Sequence, residues 1–162
     1  MNYKVGRAKH PLKLMLLGGI SNRGPTPLIL FEGKLDSIDL LKIFNKNIKP
    51  FLTKVWPDGH RLIMDNDPKH TSKLTQNWLK NNNVHHWKTP PQSPDLNLIE
   101  LVWHELKTYV RSQKPTTKEL LCQTICYFWN EILTPEKCQT YINHLPKVLP
   151  HVIIQRGLAT RF

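Results

Sequence analysis

A chain of 162 residues with 40% apolar content has material for one hydrophobic core and not for two. Its 23 Lys and Arg against 12 Asp and Glu leave a formal charge of +11, an excess that points to a polyanionic partner. The longest apolar runs, residues 14–17 and 28–31, fall far short of the roughly 20 residues that span a bilayer, and no charged-then-apolar leader opens the sequence. The expectation is a soluble, intracellular domain that meets nucleic acid and not lipid.

In chain order, residues 1–11 are a polar, basic lead-in that ends in His10-Pro11, and the folded domain is expected over 12–162. LKLMLLGGIS from Leu12 reads as a strand that stops at Gly18-Gly19, and residues 27–31 (PLILF) read as its antiparallel partner across a turn at 21–26. From Leu35 to Phe51 the apolar positions follow helical spacing, with Asp36 or Ser37 as N-cap. After the turn at Pro57-Asp58-Gly59, residues 60–64 (HRLIM) are short, apolar and unsplit, as a buried strand is, and Asp65 falls at its end.

Residues 71–83 form the next expected helix, with Leu74, Trp78 and Leu79 as its core face; a short strand at 84–87 follows. Three prolines within 89–97 make that stretch irregular. Helical spacing returns over 98–110 and ends at Lys114-Pro115. Further helices are predicted at 117–133, 135–145 and around 148–155. The order β β α β α β α, then helices only, predicts an α/β sheet with a helical tail.

Cys122, Cys126 and Cys138, followed by His144, invite a zinc reading. Structural zinc sites use tighter cysteine pairs on turns, whereas these lie among Leu121, Ile125 and Phe128, as core thiols do. Trp78, Trp87, Trp103 and Trp129 have the spacing of core aromatics, with base stacking as the other use of such rings. Glu105 reads as a solvated surface acid.

Among the acids, Asp65 at a strand end and Glu100 in the first turn of a helix are placed so that oxygens from different elements can converge, which hard divalent cations require. Asp67 lies two residues on, ahead of Pro68. Taken singly, each has an ordinary explanation: turn formation for Asp65, a favourable helix-dipole position for Glu100.

Residues 64–72 (MDNDPKHTS), 91–100 (PQSPDLNLIE) and 101–107 (LVWHELK) together resemble the catalytic region of Tc/mariner-type DNA transposases. In that family the second catalytic Asp opens the first motif and the catalytic Glu closes the second, at the interval that separates Asp65 from Glu100 here, with 66–99 between them. GGIS at 18–21, FEG at 31–33 and PDGHR at 57–61 extend the likeness over nearly the whole chain. Leu98 replaces a usual Pro, and Leu17 an often-found Trp.

The resemblance implies an α/β, ribonuclease H-like fold. It also implies that Asp65 and Glu100 are catalytic metal ligands for Mg2+ or Mn2+, two ions in the complete enzyme. DNA, as transposon ends and target, is the implied partner; homodimerisation is left open, and the implied location is the nucleus. Lys69 and His70, beside Asp65, are the candidate DNA contacts.

The family's first catalytic Asp lies on a central strand upstream of the hairpin that starts at Leu12, and residues 1–11 hold no Asp or Glu. The sequence is therefore expected to give a sheet with its first central strand absent. As a chain on its own it should be weakly stable, with little or no activity, and without the family's helix-turn-helix end recognition. Two other readings stay open: a non-catalytic DNA-binding or dimerising remnant of a transposon, and a general ribonuclease H-like nuclease.

Overall fold

A computed structural model describes residues 14–88, 97–147 and 150. The lead-in at 1–11, the first residues of the predicted strand at Leu12, the loop at 89–96 and, residue 150 apart, the helix expected at 148–155 lie outside the described residues.

Strand β1 (Met15–Leu17) pairs antiparallel with β4 (Ile29–Phe31), in the register Met15 to Phe31 and Leu17 to Ile29. The connector is more ordered than a bare turn: β2 (Ile20–Ser21) and β3 (Gly24–Pro25) make a small hairpin of their own. Gly24 sits there at φ 109°, where only glycine is unstrained.

The helix expected from Leu35 runs longer. It comprises α1 (Ser37–Ile43), a π turn at Phe44–Ile48 and α2 (Lys49–Val55), with the Asp36 carboxylate accepting from the Asp39 amide at 2.8 Å. Pro50 lies inside it, lacking an N–H and crowding the preceding turn. The wider π turn just before it absorbs the mismatch.

Strand β5 (Leu62–Met64) is followed by the short helix α3 (Pro68–Thr71), then α4 (Lys73–Asn81) and β6 (His86–Lys88), which returns parallel to β5. The single helix expected at 71–83 is thus broken at Ser72, whose side chain caps α4. This break changes which residues are buried: Leu74 is exposed and Thr75 is fully buried, its hydroxyl donating to the Lys69 carbonyl at 2.7 Å. Helix α5 (Ile99–Gln113) ends at Lys114, a left-handed cap with φ 48°. Helix α6 (Lys118–Tyr127), a second π turn (Phe128–Ile132) and α7 (Pro135–Ile142) complete the described chain.

Two cores lie on opposite faces of the strands. Leu17 of β1 packs with Leu40, Phe44, Leu52, Met64 and Leu79, the side of α1, α2 and α4. Leu16, the neighbouring residue, packs with Val102, Phe128, Trp129 and Leu133, the side of α5 to α7. Alternation along one strand therefore feeds both layers. Trp78 and Trp129 are core, as their spacing suggested, and Trp103 stacks on Trp129 with centroids 5.4 Å apart. Trp87 is exposed, with the Arg61 guanidinium over its ring at 4.4 Å.

Glu105 corrects the surface reading. It is partly buried between α5 and α7, accepting from the Lys137 ammonium and the Tyr141 hydroxyl. Burial works against its charge, but those two donors prevail and hold its carboxyl below the ordinary value of 4.5. The group thus stabilises the fold above pH 4.5, and that contribution is lost as pH falls through its folded value. Glu105→Gln is expected to lower Tm by about 3 °C at pH 7. Thermal melts should show the gap between variant and parent closing below pH 4.5; a constant gap down to pH 3 would contradict the assignment.

The cysteines are free thiols. Cys138 is fully buried and burial pushes its pKa up to about 11, so it is an inert core thiol. Among the described residues no three His, Cys, Asp or Glu gather into a metal cluster, which removes the zinc reading there.

Candidate active site

Strand β5 delivers Asp65 and helix α5 delivers Glu100 to one cavity of about 490 Å3. Its walls include β1, β5 and the N-terminal turn of α5, with Lys69, His70 and Asn97 beside the two acids. The two carboxylates singled out from the sequence, 35 positions apart, thus line the same space, as do the two candidate DNA-contact residues.

The loop after β5 is built around Asp65. Its Oδ1 accepts from the Asp67 amide at 3.1 Å and lies 2.6 Å from the His70 Nδ1. Both contacts fall on one oxygen; Oδ2 has no hydrogen-bond partner among the described residues. Asp67 is occupied differently. It caps α3 by accepting from the Lys69 amide at 2.9 Å and pairs with the Lys69 ammonium. Burial raises the Asp67 carboxyl, yet the Lys69 contacts outweigh it and hold the group below its ordinary range. Asp67 is therefore a structural acid of the turn.

Glu100 is exposed, and its amide donates to the Asn97 carbonyl at 2.9 Å. Among the described residues its carboxylate has neither an ion pair nor a hydrogen bond. Glu32, Asp39 and Glu105, in contrast, are all committed to lysines. Asp65 and Glu100 are thus acids with oxygens to spare, sharing one cavity. The donor set has the chemistry of a hard divalent cation, carboxylate oxygen from two separate elements, although two carboxylates are fewer than an all-protein cage would use.

Lys69 and His70 serve the loop itself: Lys69 is tied to Asp67, and His70, largely buried, to Asp65. Sequence reasoning missed Lys34 and Asn97 on the cavity wall. Asn97 could have been found, since it lies inside the PDLN run that leads to Glu100, but Lys34 carries no local signal.

A family model described as DDE superfamily endonuclease matches residues 3–122. The chain is 28% identical over 149 residues to the Transposable element Tc1 transposase of Caenorhabditis elegans, covering 92% of this chain and 54% of that protein. It is 26% identical over 162 residues to the Tcb2 transposase of Caenorhabditis briggsae, covering 99% of this chain and 59% of the relative. The chain thus spans little more than half the length of these relatives. Among solved structures, the Mos1 transposase catalytic domain superposes with a TM-score of 0.79 at 15% identity, covering 91% of this chain and 77% of that one. That likeness establishes the ribonuclease H-like fold, with its helical C-terminal region. With the family model matching most of its length, the chain belongs to the DDE endonuclease superfamily, and the curated relatives it is similar to are Tc1-type transposases.

Proposed function

We propose that this chain carries part of the centre that cuts and rejoins DNA phosphodiesters in a Tc1/mariner transposase, with Asp65 and Glu100 as its metal-holding carboxylates. The observation that carries the proposal is the pair of uncommitted acids on one cavity wall. Solved relatives support divalent-metal use: Mos1 catalytic-domain structures are described with Mg and with Mn. A divalent ion bound there supplies Lewis-acid polarisation and a lowered water pKa, and the complete enzyme is expected to use two. Asp65 and Glu100 would hold the ion, His70 would fix the Asp65 side chain, and no side-chain nucleophile is needed.

The proposed substrate is DNA, as transposon ends and target. A Mos1 paired-end complex with a transposon end shares the fold with a TM-score of 0.79. The +11 charge supplies attraction to phosphate, with Lys69 and His70 adding basic groups beside the acids. The nucleus is the proposed place of action, and a second copy of the chain a proposed partner.

One observation favours a second reading, a DNA-binding remnant: no cluster of three metal-ligating residues exists among the described residues. Mn2+ titration separates the two, because the remnant binds DNA but no ion. DNA binding itself is expected to be weakly selective and steeply salt-dependent. If about six phosphates are neutralised, affinity should fall by roughly three orders of magnitude between 50 and 200 mM salt. Fluorescence anisotropy with a random duplex checks this, and a flat salt response would remove the DNA assignment.

A further inference from the structure

One face of the β5–β6 pair carries side chains that neither core uses. Along β5 and one residue to each side, exposure alternates: Arg61, Ile63 and Asp65 are exposed, Leu62 is half-buried and Met64 buried. Residues 84–87 follow the same rhythm, with Val84 buried, His85 exposed, His86 half-buried and Trp87 exposed. The inward residues Leu62, Met64 and Val84 belong to the core on the side of α1, α2 and α4. The outward ones join no core: Ile63 and Trp87, register partners across the pair, are 56% and 57% exposed. Successive strand residues point to opposite faces, so Arg61, Ile63, Asp65, His85 and Trp87 share one. On it the Arg61 guanidinium lies 4.4 Å from the centre of the Trp87 ring and forms no ion pair among the described residues. A cation held over the ring by its quadrupole fixes the plane of the indole.

We propose that Trp87, framed by Ile63 and Arg61, is a stacking shelf for one unpaired DNA base beside the phosphate that Asp65 and Glu100 address. The inference rests on the DNA reading above and deepens it. Within a duplex the faces of each base are covered by its neighbours, and a protruding ring meets only groove edges and phosphates. A base out of the stack offers the flat surface that an indole takes. Charge selects nucleic acid over an apolar peptide: the chain carries +11, and the uncommitted guanidinium on the ring suits a base that brings its own phosphate. The place suits it as well. Ile63 and Asp65 both line the cavity that holds Glu100, so the face runs into the candidate active site. One strand across and two residues back puts the Trp87 backbone about 8 Å from that of Asp65, the span of one or two nucleotides. The shelf therefore sets the register of a strand against the acids; it positions DNA and takes no part in the chemistry.

The test uses the full chain in EDTA, which keeps metal binding out of it. The probes are two fluorescein-labelled single strands with equal numbers of phosphates, one of thymidines and one with the same backbone and no bases, titrated by anisotropy. The thymidine strand is expected to bind about fivefold tighter or more, the contribution of one base stacked on an aromatic ring. Trp87→Ala should bring its affinity down to that of the abasic strand, whereas Trp87→Phe should keep most of the difference. The quenching of tryptophan fluorescence that the thymidine strand causes in the parent should be largely lost in Trp87→Phe. If Trp87→Ala does not fold, the two strands and the quenching in Trp87→Phe decide. Equal affinity of the parent for both strands, with a steep salt response, overturns the shelf and leaves the DNA reading standing; binding of neither strand overturns both. A preference that survives Trp87→Ala overturns the assignment to this ring. Sedimentation showing self-association that Trp87→Ala abolishes also overturns it, by giving the face to a second copy.

Discussion

Asp65→Asn or Glu100→Gln should each abolish Mn2+ binding by the folded chain, measured by electron paramagnetic resonance of the free ion, and should leave the thermal transition in place. The first half follows from the oxygens. A neutral amide keeps one weak acceptor and loses the charge that a hard cation needs, and among the described residues only two such carboxylates stand on the cavity wall. The second half follows from location and shape: Glu100 is exposed and makes no ion pair among the described residues, so its loss removes no packing, and Asp65→Asn keeps an Oδ1 that can still accept from the Asp67 amide. In a longer transposase containing this domain, either change should cut the cleavage rate by about 1000-fold. That is the effect of roughly 4 kcal/mol of transition-state charge stabilisation, at 1.36 kcal/mol per factor of ten. If both variants retain the parent's Mn2+ affinity, these two acids are not the metal ligands.

The largest stability effect is expected at Trp129. It is 2% exposed, stacks on Trp103 and donates from Nε1 to the Thr26 carbonyl at 2.8 Å. The residue therefore ties the β2–β3 hairpin and its flanks to α5 and the second π turn. Trp129→Ala removes the ring, opens a cavity and leaves the Thr26 carbonyl without its donor, at a cost of about 3 to 5 kcal/mol. Domains of this size are stable by only about 5 to 15 kcal/mol. Circular dichroism should show the variant unfolded or nearly so at 37 °C, and urea titration a midpoint far below the parent's.

Gly18→Ala probes the same contact from the other side. A Cβ there would stand 2.7 Å from two carbons of the Trp129 ring, and a rigid indole has little room to yield. A loss of about 1 to 3 kcal/mol is expected. A Trp129→Ala variant that melts within 3 °C of the parent would show that the two layers hold together without this ring.

Much of the fold was legible because local chemistry and burial agree in it. The β1–β4 pair is bracketed by its glycines and prolines, and the strand ending at Asp65 by Pro57-Asp58-Gly59 before it and Pro68 after it. Helix α5 begins where the prolines stop and ends where Lys114 meets Pro115. The candidate site could be picked out for a different reason: two motifs and the interval between them together are far more specific than either acid alone, and the structure brings both acids to one cavity.

What the sequence concealed depended on partners remote in the chain. Leu74 fits a helical apolar face as well as Thr75 does not, yet Ser72 interrupts the helix and resets its phase; Thr75 is then buried because its hydroxyl has the Lys69 carbonyl to bond. Glu105 looked like any surface acid until α7 brought Lys137 and Tyr141 to it. Ile63 has the residue type of a buried strand, yet it is 56% exposed. The π turns carry no compositional mark beyond Pro50, and the second one lacks even that.

The loop that holds Asp65 bears on how tightly a weak ligand can be gripped. With the Asp67 amide and the His70 ring both on Oδ1, the side chain has already surrendered its torsional freedom during folding. An arriving cation meets an oxygen aimed in advance and need not immobilise a swinging carboxylate, an entropic charge of up to about 1 kcal/mol per side chain. Under the proposed metal role, preorganisation of this kind would be supplied by a histidine that need not touch the ion, so the sharpness of the grip would be decided five residues away from the proposed ligand.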